Sequence, residues 1–125
     1  MIKLLFVDDE EAVRTSINMV FKTKSNYQTL LAASGGEALQ IAAQEKPDLV
    51  LLDMRLPDMS GEEVFEKLKT TNPDIKVIFF TGVSQEAVAQ KVQALGAAGY
   101  LTKPFDALKL EDYFKKTVPD LYQGK

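Results

Sequence analysis

The sequence predicts an α/β protein: a doubly wound, five-stranded parallel sheet in the strand order 2-1-3-4-5, with five helices on both faces. The first supporting observation is that five short apolar runs alternate with segments of helical periodicity. The second is that the third run, residues 49–52, is uninterrupted and branched-aliphatic, as expected for a strand buried on both faces. The third is the length of 125 residues with 46% hydrophobic content, which suits one domain with one core.

The predicted strands are the five apolar runs, at residues 4–7, 29–32, 49–52, 77–80 and 100–101. Between these runs and after the last one, apolar residues recur at the spacing of a helix that packs one face on a sheet. These residues are Val13, Ile17 and Val20, then Leu39 and Ala42, Val64 and Leu68, Val88, Val92 and Leu95, and finally Leu110 and Phe114. Each pair of successive strands is thus joined by a helix, which implies right-handed crossovers.

The ends of these elements carry their own signals. Residues 34–37 match a capping box that opens the second helix, with Ser34 as the cap and Glu37 three positions later. Asp106 is placed to cap the last helix. Pro47 and Pro73 each precede a strand, where they stop the preceding helix.

Composition excludes several functional classes. The formal net charge is −3 and the pI is near 5.0, which argues against direct nucleic-acid binding, because phosphates require a concentrated basic face. The chain has no cysteine and no histidine, so disulfides, cysteine-ligated zinc and histidine-based catalysis are excluded. No apolar stretch approaches the roughly 20 residues that span a membrane, and the amino terminus is unlike a signal peptide. We therefore expect a cytoplasmic protein that contacts neither nucleic acid nor membrane directly.

Polar side chains follow four of the five predicted strands. Asp8 and Asp9 follow the first, Asp53 the third, Thr81 the fourth and Lys103 the fifth. In the order 2-1-3-4-5 the first and third strands are neighbours, so the three carboxylates are expected to meet at the carboxyl edge of the sheet. Two unit charges 4 Å apart repel by about 4 kcal/mol at an effective dielectric near 20, so the cluster requires a cation. An all-oxygen pocket suits Mg²⁺, with Mn²⁺ as the alternative.

Such a pocket is suited to phosphoryl transfer. A carboxylate oxygen of Asp53 is already a nucleophile and needs no general base to attack phosphorus. The metal and Lys103 would neutralise the phosphoryl oxygens, and the hydroxyl of Thr81 would donate to one of them. Glu10 and Glu11 have a simpler explanation, because acidic residues are favourable at a helix amino terminus.

Four segments carry a resemblance to the receiver domain of two-component response regulators. They are residues 4–10, 48–61, 79–82 and 99–105, which occur in the order and at the spacing of that family. The match that they define extends over nearly the whole chain. The fold that this resemblance implies is flavodoxin-like. We expect a single receiver domain over residues 1–119 and a short, frayed tail over residues 120–125.

The resemblance also implies a role for each residue at the sheet edge. Asp53 accepts a phosphoryl group from a sensor histidine kinase or a histidine phosphotransfer protein. Asp8, Asp9 and the backbone carbonyl of Arg55 help Asp53 to hold Mg²⁺. The chain is then a signalling domain with Mg²⁺-dependent self-phosphorylation and slow self-dephosphorylation, not an enzyme.

In the same family Thr81 and Tyr100 act as the conformational switch, and the peptide bond between Lys103 and Pro104 is expected to be cis. An aromatic residue in the last strand is also explained by packing, so the role of Tyr100 is the less specific of the two. Phosphorylation is expected to change the face formed by the fourth helix, fifth strand and fifth helix. That face would bind a downstream output protein, or an output domain fused outside this chain, or support a phosphorylation-dependent dimer.

Three alternatives compete with this interpretation. A magnesium-dependent phosphatase of the haloacid dehalogenase type would carry Asp-x-Asp after the first strand, whereas Asp8 and Asp9 are adjacent here. A receiver-like module that binds partners without phosphorylation would be expected to lack part of the acidic, threonine and lysine set. A flavodoxin would need a Ser/Thr/Gly-rich loop after the first strand instead of acidic residues, which repel a cofactor phosphate.

Two side chains are predicted to control how long a phosphoryl group survives on Asp53. Arg55 and Val83 each stand two positions after a residue of the site, Asp53 and Thr81 respectively. In the predicted fold both flank the path of a hydrolytic water.

The dimer of winged-helix regulators is less expected, because residues 96–100 lack the acidic residues that usually accompany that interface.

Overall fold

A computed structural model describes residues 1–82, 86–103 and 105–122, and for residues 86–89 it describes the backbone alone. Five parallel strands form one sheet in the order β2-β1-β3-β4-β5, which confirms the predicted topology. The strands are β1 (Ile2–Val7), β2 (Tyr27–Ala32), β3 (Leu49–Asp53), β4 (Lys76–Thr81) and β5 (Gly99–Thr102). The helices are α1 (Glu11–Phe21), α2 (Gly35–Glu45), α3 (Gly61–Thr71), α4 (Glu86–Leu95) and α5 (Leu110–Thr117).

Successive side chains along each strand point to opposite faces of the sheet and form two separate cores, one on each face. On one face, Leu4 and Phe6 of β1 pack with Phe21 of α1 and Phe114 of α5. On the other face, the alternate strand residues pack with apolar side chains of α2, α3 and α4. β3 lies in the middle of the sheet, and all five of its residues are buried. The predicted burial of this strand on both faces is confirmed.

The predicted caps are present, one of them in a modified form. Ser34 Oγ accepts a hydrogen bond of 3.2 Å from the backbone N–H of Glu37, and Glu37 Oε1 accepts one of 2.6 Å from Ala33 N–H. Asp106 caps a 3₁₀ turn, Ala107–Lys109, instead of the first turn of α5, and accepts from Leu108 N–H at 2.9 Å. Since this turn leads directly into α5, Asp106 still marks where the last helical segment begins.

Of residues 120–125, for which the sequence predicts a frayed tail, the structure describes residues 120–122. Pro119–Tyr122 form a second 3₁₀ turn, and the side chains of Leu121 and Tyr122 pack against the core on the α1 and α5 face. The hydroxyl of Tyr122 lies 2.5 Å from that of Tyr27 at the start of β2. This contact joins residues 95 positions apart, so local sequence patterns do not reveal it.

Within the described part of the chain, no helix has both the length and the apolar character needed to cross a membrane.

Candidate functional site

The carboxyl ends of β1, β3, β4 and β5 surround an open pocket of about 410 Å³. The parallel register aligns these ends, because Val7 is opposite Leu52, Asp53 opposite Phe80, and Thr81 opposite Thr102. The pocket is lined by Asp9, Glu10, Asp53, Arg55, Thr81, Gly82 and Lys103. The sheet therefore brings together the polar residues that the sequence predicts at this edge.

Three carboxylates lie close enough to share one cation. Asp8, Asp9 and Asp53 each offer an oxygen, and these oxygens lie within 4.8 Å of one another. Asp8 is fully buried and Asp53 is 6% exposed, whereas Asp9 is exposed to solvent. Burial raises the pKa of Asp8, and the hydrogen bond from Glu10 N–H and the ammonium group of Lys103 offset that effect only partly. The ionised cluster is therefore held at a cost in free energy.

Lys103 places its ammonium group among the carboxylates. Its Nζ lies 3.1 Å from Asp8 Oδ2 and 3.2 Å from Asp53 Oδ2. Burial lowers the pKa of Lys103, but the contacts with Asp8 and Asp53 outweigh that effect, so its pKa lies above the ordinary value. The amine is thus protonated at neutral pH and positioned to neutralise a second anion in the pocket.

Two contacts of Lys103 are not evident from the sequence. Glu10 Oε1 lies 3.4 Å from the Nζ atom, so Glu10 forms an ion pair with Lys103 in addition to its place at the start of α1. The ring of Phe80 lies beneath the ammonium group, at 4.9 Å from Nζ to the ring centroid. A cation over an aromatic face is attracted to it, so Phe80 restricts where the lysine side chain can lie. The adjacency of Asp8, Asp9 and Glu10 is the one sequence signal for the first contact.

Backbone N–H groups orient the two buried carboxylates. Asp8 Oδ1 accepts from Glu10 N–H at 2.9 Å, and Asp53 Oδ1 accepts from Arg55 N–H at 3.0 Å. Both bonds span two residues, as in the turns that aspartate favours at the end of a strand. In each case one oxygen is occupied, and the other faces Lys103.

One of the two oxygens that face Lys103 lacks a hydrogen bond. Asp8 Oδ2 is buried and accepts no hydrogen bond of suitable geometry within the described chain, although Lys103 Nζ is near it. An ionised oxygen left in this condition costs free energy that a metal ion would recover. The donors at the site are all oxygens, which are the ligands that Mg²⁺ prefers. The residues present therefore fit a hard divalent cation.

Gly61 holds the loop after β3 against the strand. Its N–H donates to Met54 O at 2.9 Å, and a β-carbon built on it would lie 2.4 Å from Asp53 O. An antiparallel bridge between Arg55 and Ser60 closes the base of the same loop. The backbone next to Asp53 is thus packed directly against the first residue of α3, which only glycine permits.

The predicted switch residues lie on adjacent strands. Thr81 is 5% exposed at the end of β4, and its backbone oxygen accepts from Lys103 N–H at 2.7 Å. Tyr100 is half-buried in β5, opposite Phe79, and its backbone oxygen accepts from the hydroxyl of Tyr113 in α5 at 2.9 Å. The predicted cis bond before Pro104 and the predicted role of Val83 fall outside the described residues.

The chain is similar to known proteins in both sequence and structure. A family model described as the response regulator receiver domain matches residues 4–115. The chain is 42% identical over 117 residues to sporulation initiation phosphotransferase F of Bacillus subtilis, covering 94% of each chain. It is 39% identical over 104 residues to response regulator GacA of Pseudomonas aeruginosa, where it covers 82% of this chain and 49% of that protein.

Solved structures agree with these matches. A CheY-like response regulator receiver domain protein from Methanospirillum hungatei JF-1 superposes with a TM-score of 0.88 and 29% identity, covering 100% of this chain and 99% of that one. The chemotaxis protein CheY4 of Vibrio cholerae superposes with a TM-score of 0.85 and 27% identity, covering 94% and 99%. The similarity thus extends over the entire fold described above.

Proposed function

Because the chain belongs to the response regulator receiver domain family, we propose that Asp53 accepts a phosphoryl group from a sensor histidine kinase or a histidine phosphotransfer protein. The observation that carries this proposal is the position of Asp53 Oδ2. It lies 3.2 Å from Lys103 Nζ, in a pocket that Asp8 and Asp9 also supply with carboxylate oxygens. Neither the phosphatase nor the phosphorylation-independent module considered above has support among the relatives.

The proposed reaction is a single displacement at phosphorus. An Asp53 carboxylate oxygen forms the new bond to phosphorus while the bond to the donor's imidazole nitrogen breaks, and the donor leaves with that electron pair. Lys103 remains protonated throughout and neutralises a phosphoryl oxygen, and Thr81 donates its hydroxyl to another. Bond formation requires no proton transfer, which is consistent with a chain that has no histidine.

Asp8, Asp9 and Asp53, with the backbone carbonyl of Arg55, are the proposed ligands of Mg²⁺, with Mn²⁺ as a substitute. When bound, the cation would supply charge neutralisation at the phosphoryl oxygens. The buried Asp8 Oδ2, which accepts no hydrogen bond within the described chain, supports this assignment. We infer that the reaction takes place in the cytoplasm, where nucleoside triphosphates supply phosphoryl groups to the kinase.

The consequence of phosphorylation is proposed to be a shift between two conformations through Thr81 and Tyr100. A phosphoryl group adds contacts that exist in one state only, so it biases an equilibrium that is already present. The contact between the Tyr113 hydroxyl and the Tyr100 backbone oxygen connects β5 to α5. The face of α4, β5 and α5 is the proposed surface for a downstream output protein, a fused output domain or a dimer partner.

A second candidate function is onward transfer of the phosphoryl group to another protein. It is favoured by the relative in Bacillus subtilis, which is named as a phosphotransferase and 94% of whose length the chain covers. The two outputs differ in the fate of the phosphate. Rapid loss of phosphate from Asp53 on addition of a histidine phosphotransfer protein, with its appearance on that protein, would favour onward transfer.

The test of the main proposal is incubation with Mg²⁺ and a small phosphodonor, acetyl phosphate, followed by intact-protein mass spectrometry. We expect one phosphoryl adduct in the presence of Mg²⁺ and little adduct when the metal is removed with a chelator. Steady turnover of many phosphate esters would instead favour a phosphatase. No adduct from acetyl phosphate or from a histidine kinase would contradict the proposal.

Mg²⁺ is expected to raise the thermal stability of the wild-type protein, and Asp8→Asn is expected to remove that increase. Binding to the folded state alone stabilises it by about 2.7 kcal/mol when Mg²⁺ is present at 100 times its dissociation constant. Because the pKa of Asp8 is raised in the folded protein, its protonated carboxyl group contributes stability that is fully present below the unfolded pKa and is lost as pH rises through the folded pKa. At pH 7 the metal-free variant should therefore be at least as stable as the wild type.

Differential scanning fluorimetry with and without Mg²⁺ would measure both effects. Asp74→Asn is the matched control, because Asp74 is exposed in the turn before β4. This control should keep the full response to Mg²⁺. An equal Mg²⁺ response in Asp8→Asn and the wild type would rule out Asp8 as a ligand.

Arg55→Ala is expected to change the lifetime of the phosphorylated protein several-fold. The Arg55 side chain is exposed and borders the pocket, and its backbone N–H binds Asp53 Oδ1. A side chain at this position controls the access of water to phosphorus, so its removal alters hydrolysis and leaves the backbone contact intact. The rate would be followed by loss of the phosphoryl adduct after the donor is removed, with exposed Lys67→Ala on α3 as control. Identical rates in all three proteins would eliminate this role.

A further inference from the structure

The tip of the loop between β3 and α3 is fastened to a helix distant in the sequence. Asp58 Oδ1 accepts from Gly35 N–H at 2.8 Å, and Asp58 Oδ2 accepts from Gly36 N–H at 2.8 Å. These N–H groups open α2, and they are 23 and 22 positions away in the chain. Both carboxylate oxygens are therefore engaged by the amino terminus of a helix that belongs to another crossover.

The contact satisfies donors that α2 would otherwise leave open. The first N–H groups of a helix have no partner within the helix. Here Ser34 takes that of Glu37, and Asp58 takes the two preceding ones. The hydrogen bonds from Gly36 and Gly35 hold the pKa of Asp58 below its ordinary value, so the carboxylate is ionised at neutral pH. An anion is favourable at this end of a helix.

The loop tip also packs closely against the two glycines. A β-carbon on Gly35 would lie 2.4 Å from Met59 Cγ, and one on Gly36 would lie 3.3 Å from Asp58 Oδ2. The residues of the loop tip thus approach the α2 backbone at the point where it has no side chains. Asp58 and Met59 together hold the tip, whereas the bridge between Arg55 and Ser60 holds the base.

The base of this loop carries the groups that surround Asp53. Arg55 N–H binds Asp53 Oδ1, and the carbonyl of the same residue is a proposed metal ligand. The tip restrains the intervening chain, Leu56 and Pro57, and so restrains the peptide planes on either side of Arg55. Release of the tip would leave the bridge to hold those planes alone.

We propose that Asp58 is a positioning residue for the phosphorylation site, clamping the β3–α3 loop to α2 and thereby orienting the backbone of Arg55 toward the metal and Asp53. This inference rests on the proposed function. Loss of groups that support metal ligands typically reduces metal affinity by about 10-fold or more. Asp58→Ala should therefore weaken Mg²⁺ binding by about 10-fold. Asp58→Asn keeps one acceptor oxygen for the glycine N–H groups, so it should lose less.

The test uses the intact chain with two measurements. The first is the Mg²⁺ dissociation constant, obtained by calorimetric titration with Mg²⁺ alone. The second is amide hydrogen exchange in the metal-free protein, where Asp58→Ala should deprotect Gly35, Gly36 and also Arg55. Asp48→Ala is the matched control, because Asp48 accepts one hydrogen bond from Lys3 N–H at 2.8 Å, at the start of the neighbouring strand. It should lower stability without changing Mg²⁺ affinity or the exchange of Arg55.

The outcomes separate this inference from the function on which it rests. If Asp58→Ala behaves like Asp48→Ala, with unchanged Mg²⁺ affinity and unchanged Arg55 exchange, the clamp only stabilises α2 and the inference is wrong. If the wild type neither binds Mg²⁺ nor takes up phosphate, the proposed function fails. In that case the exchange measurement still decides the clamp, since protection of Arg55 in the metal-free protein either depends on Asp58 or does not.

Discussion

Asp53→Asn is expected to abolish phosphoryl uptake from acetyl phosphate while leaving the protein folded. An amide oxygen is a far weaker nucleophile than a carboxylate, and the substitution removes one of the three carboxylates proposed as metal ligands. The fold should persist, because Lys103 keeps its contact with Asp8 at 3.1 Å and the amide oxygen can still accept from Arg55 N–H. Removal of one charge also relieves repulsion within the acidic cluster.

Intact mass after incubation with acetyl phosphate and Mg²⁺ would measure the loss, and circular dichroism would show that the variant is folded. The matched control is again Asp74→Asn, an aspartate outside the pocket. It should take up one phosphoryl group as the wild type does. A folded Asp53→Asn protein with an unchanged amount of stable adduct would mean that another residue is the acceptor.

Gly61→Ala is expected to destabilise the protein by about 3 kcal/mol, which is large for the addition of one methyl group. The new β-carbon would lie 2.4 Å from Asp53 O and 2.9 Å from Met54 Cα. Both are backbone atoms, so no side-chain rotation can relieve the overlap. Either α3 must move away from β3 or the end of β3 must shift, and the second change displaces Asp53 itself.

Urea unfolding would measure the loss of stability, and phosphoryl uptake at a temperature where the variant is folded would show whether the site has moved. Gly82→Ala is a matched control for stability, because a β-carbon there meets no atom within 4 Å. It should change the unfolding free energy by well under 1 kcal/mol. Equal effects of the two substitutions would show that the approach of Gly61 to Asp53 does not limit stability.

Most of the fold was predictable because its determinants are local. The period of the apolar residues changes from strand to helix along the chain, and each change marks an element. A general preference for right-handed crossovers and two covered faces restricts the strand order, although it does not select one order alone. The boundaries were less exact: β1 and β2 each begin two residues earlier than the apolar runs, since Lys3 and Gln28 interrupt the apolar pattern but still pair in the sheet.

The candidate site was predictable to the extent that it lies at strand ends. Asp8, Asp53, Thr81 and Lys103 meet because parallel strands end at one edge, so their positions follow from topology alone. Glu10, Phe80 and Asp58 had no comparable signal. Each acts through a contact with a residue far away in sequence, and such contacts depend on side-chain positions that no periodicity encodes. The cis bond before Pro104 and the role of Val83 stay predictions.

The sequence by itself determined the architecture and the kind of chemistry, since residue spacing sets the elements and residue type sets which groups can bind a hard cation or attack phosphorus. The tertiary structure alone decided how those groups are held. It placed Lys103 between Asp8 and Asp53, set Gly61 against the Asp53 backbone and joined Asp58 to the start of α2. The physical reason is that burial, charge proximity and steric overlap depend on distances between residues remote in the chain, which exist only once the sheet has formed.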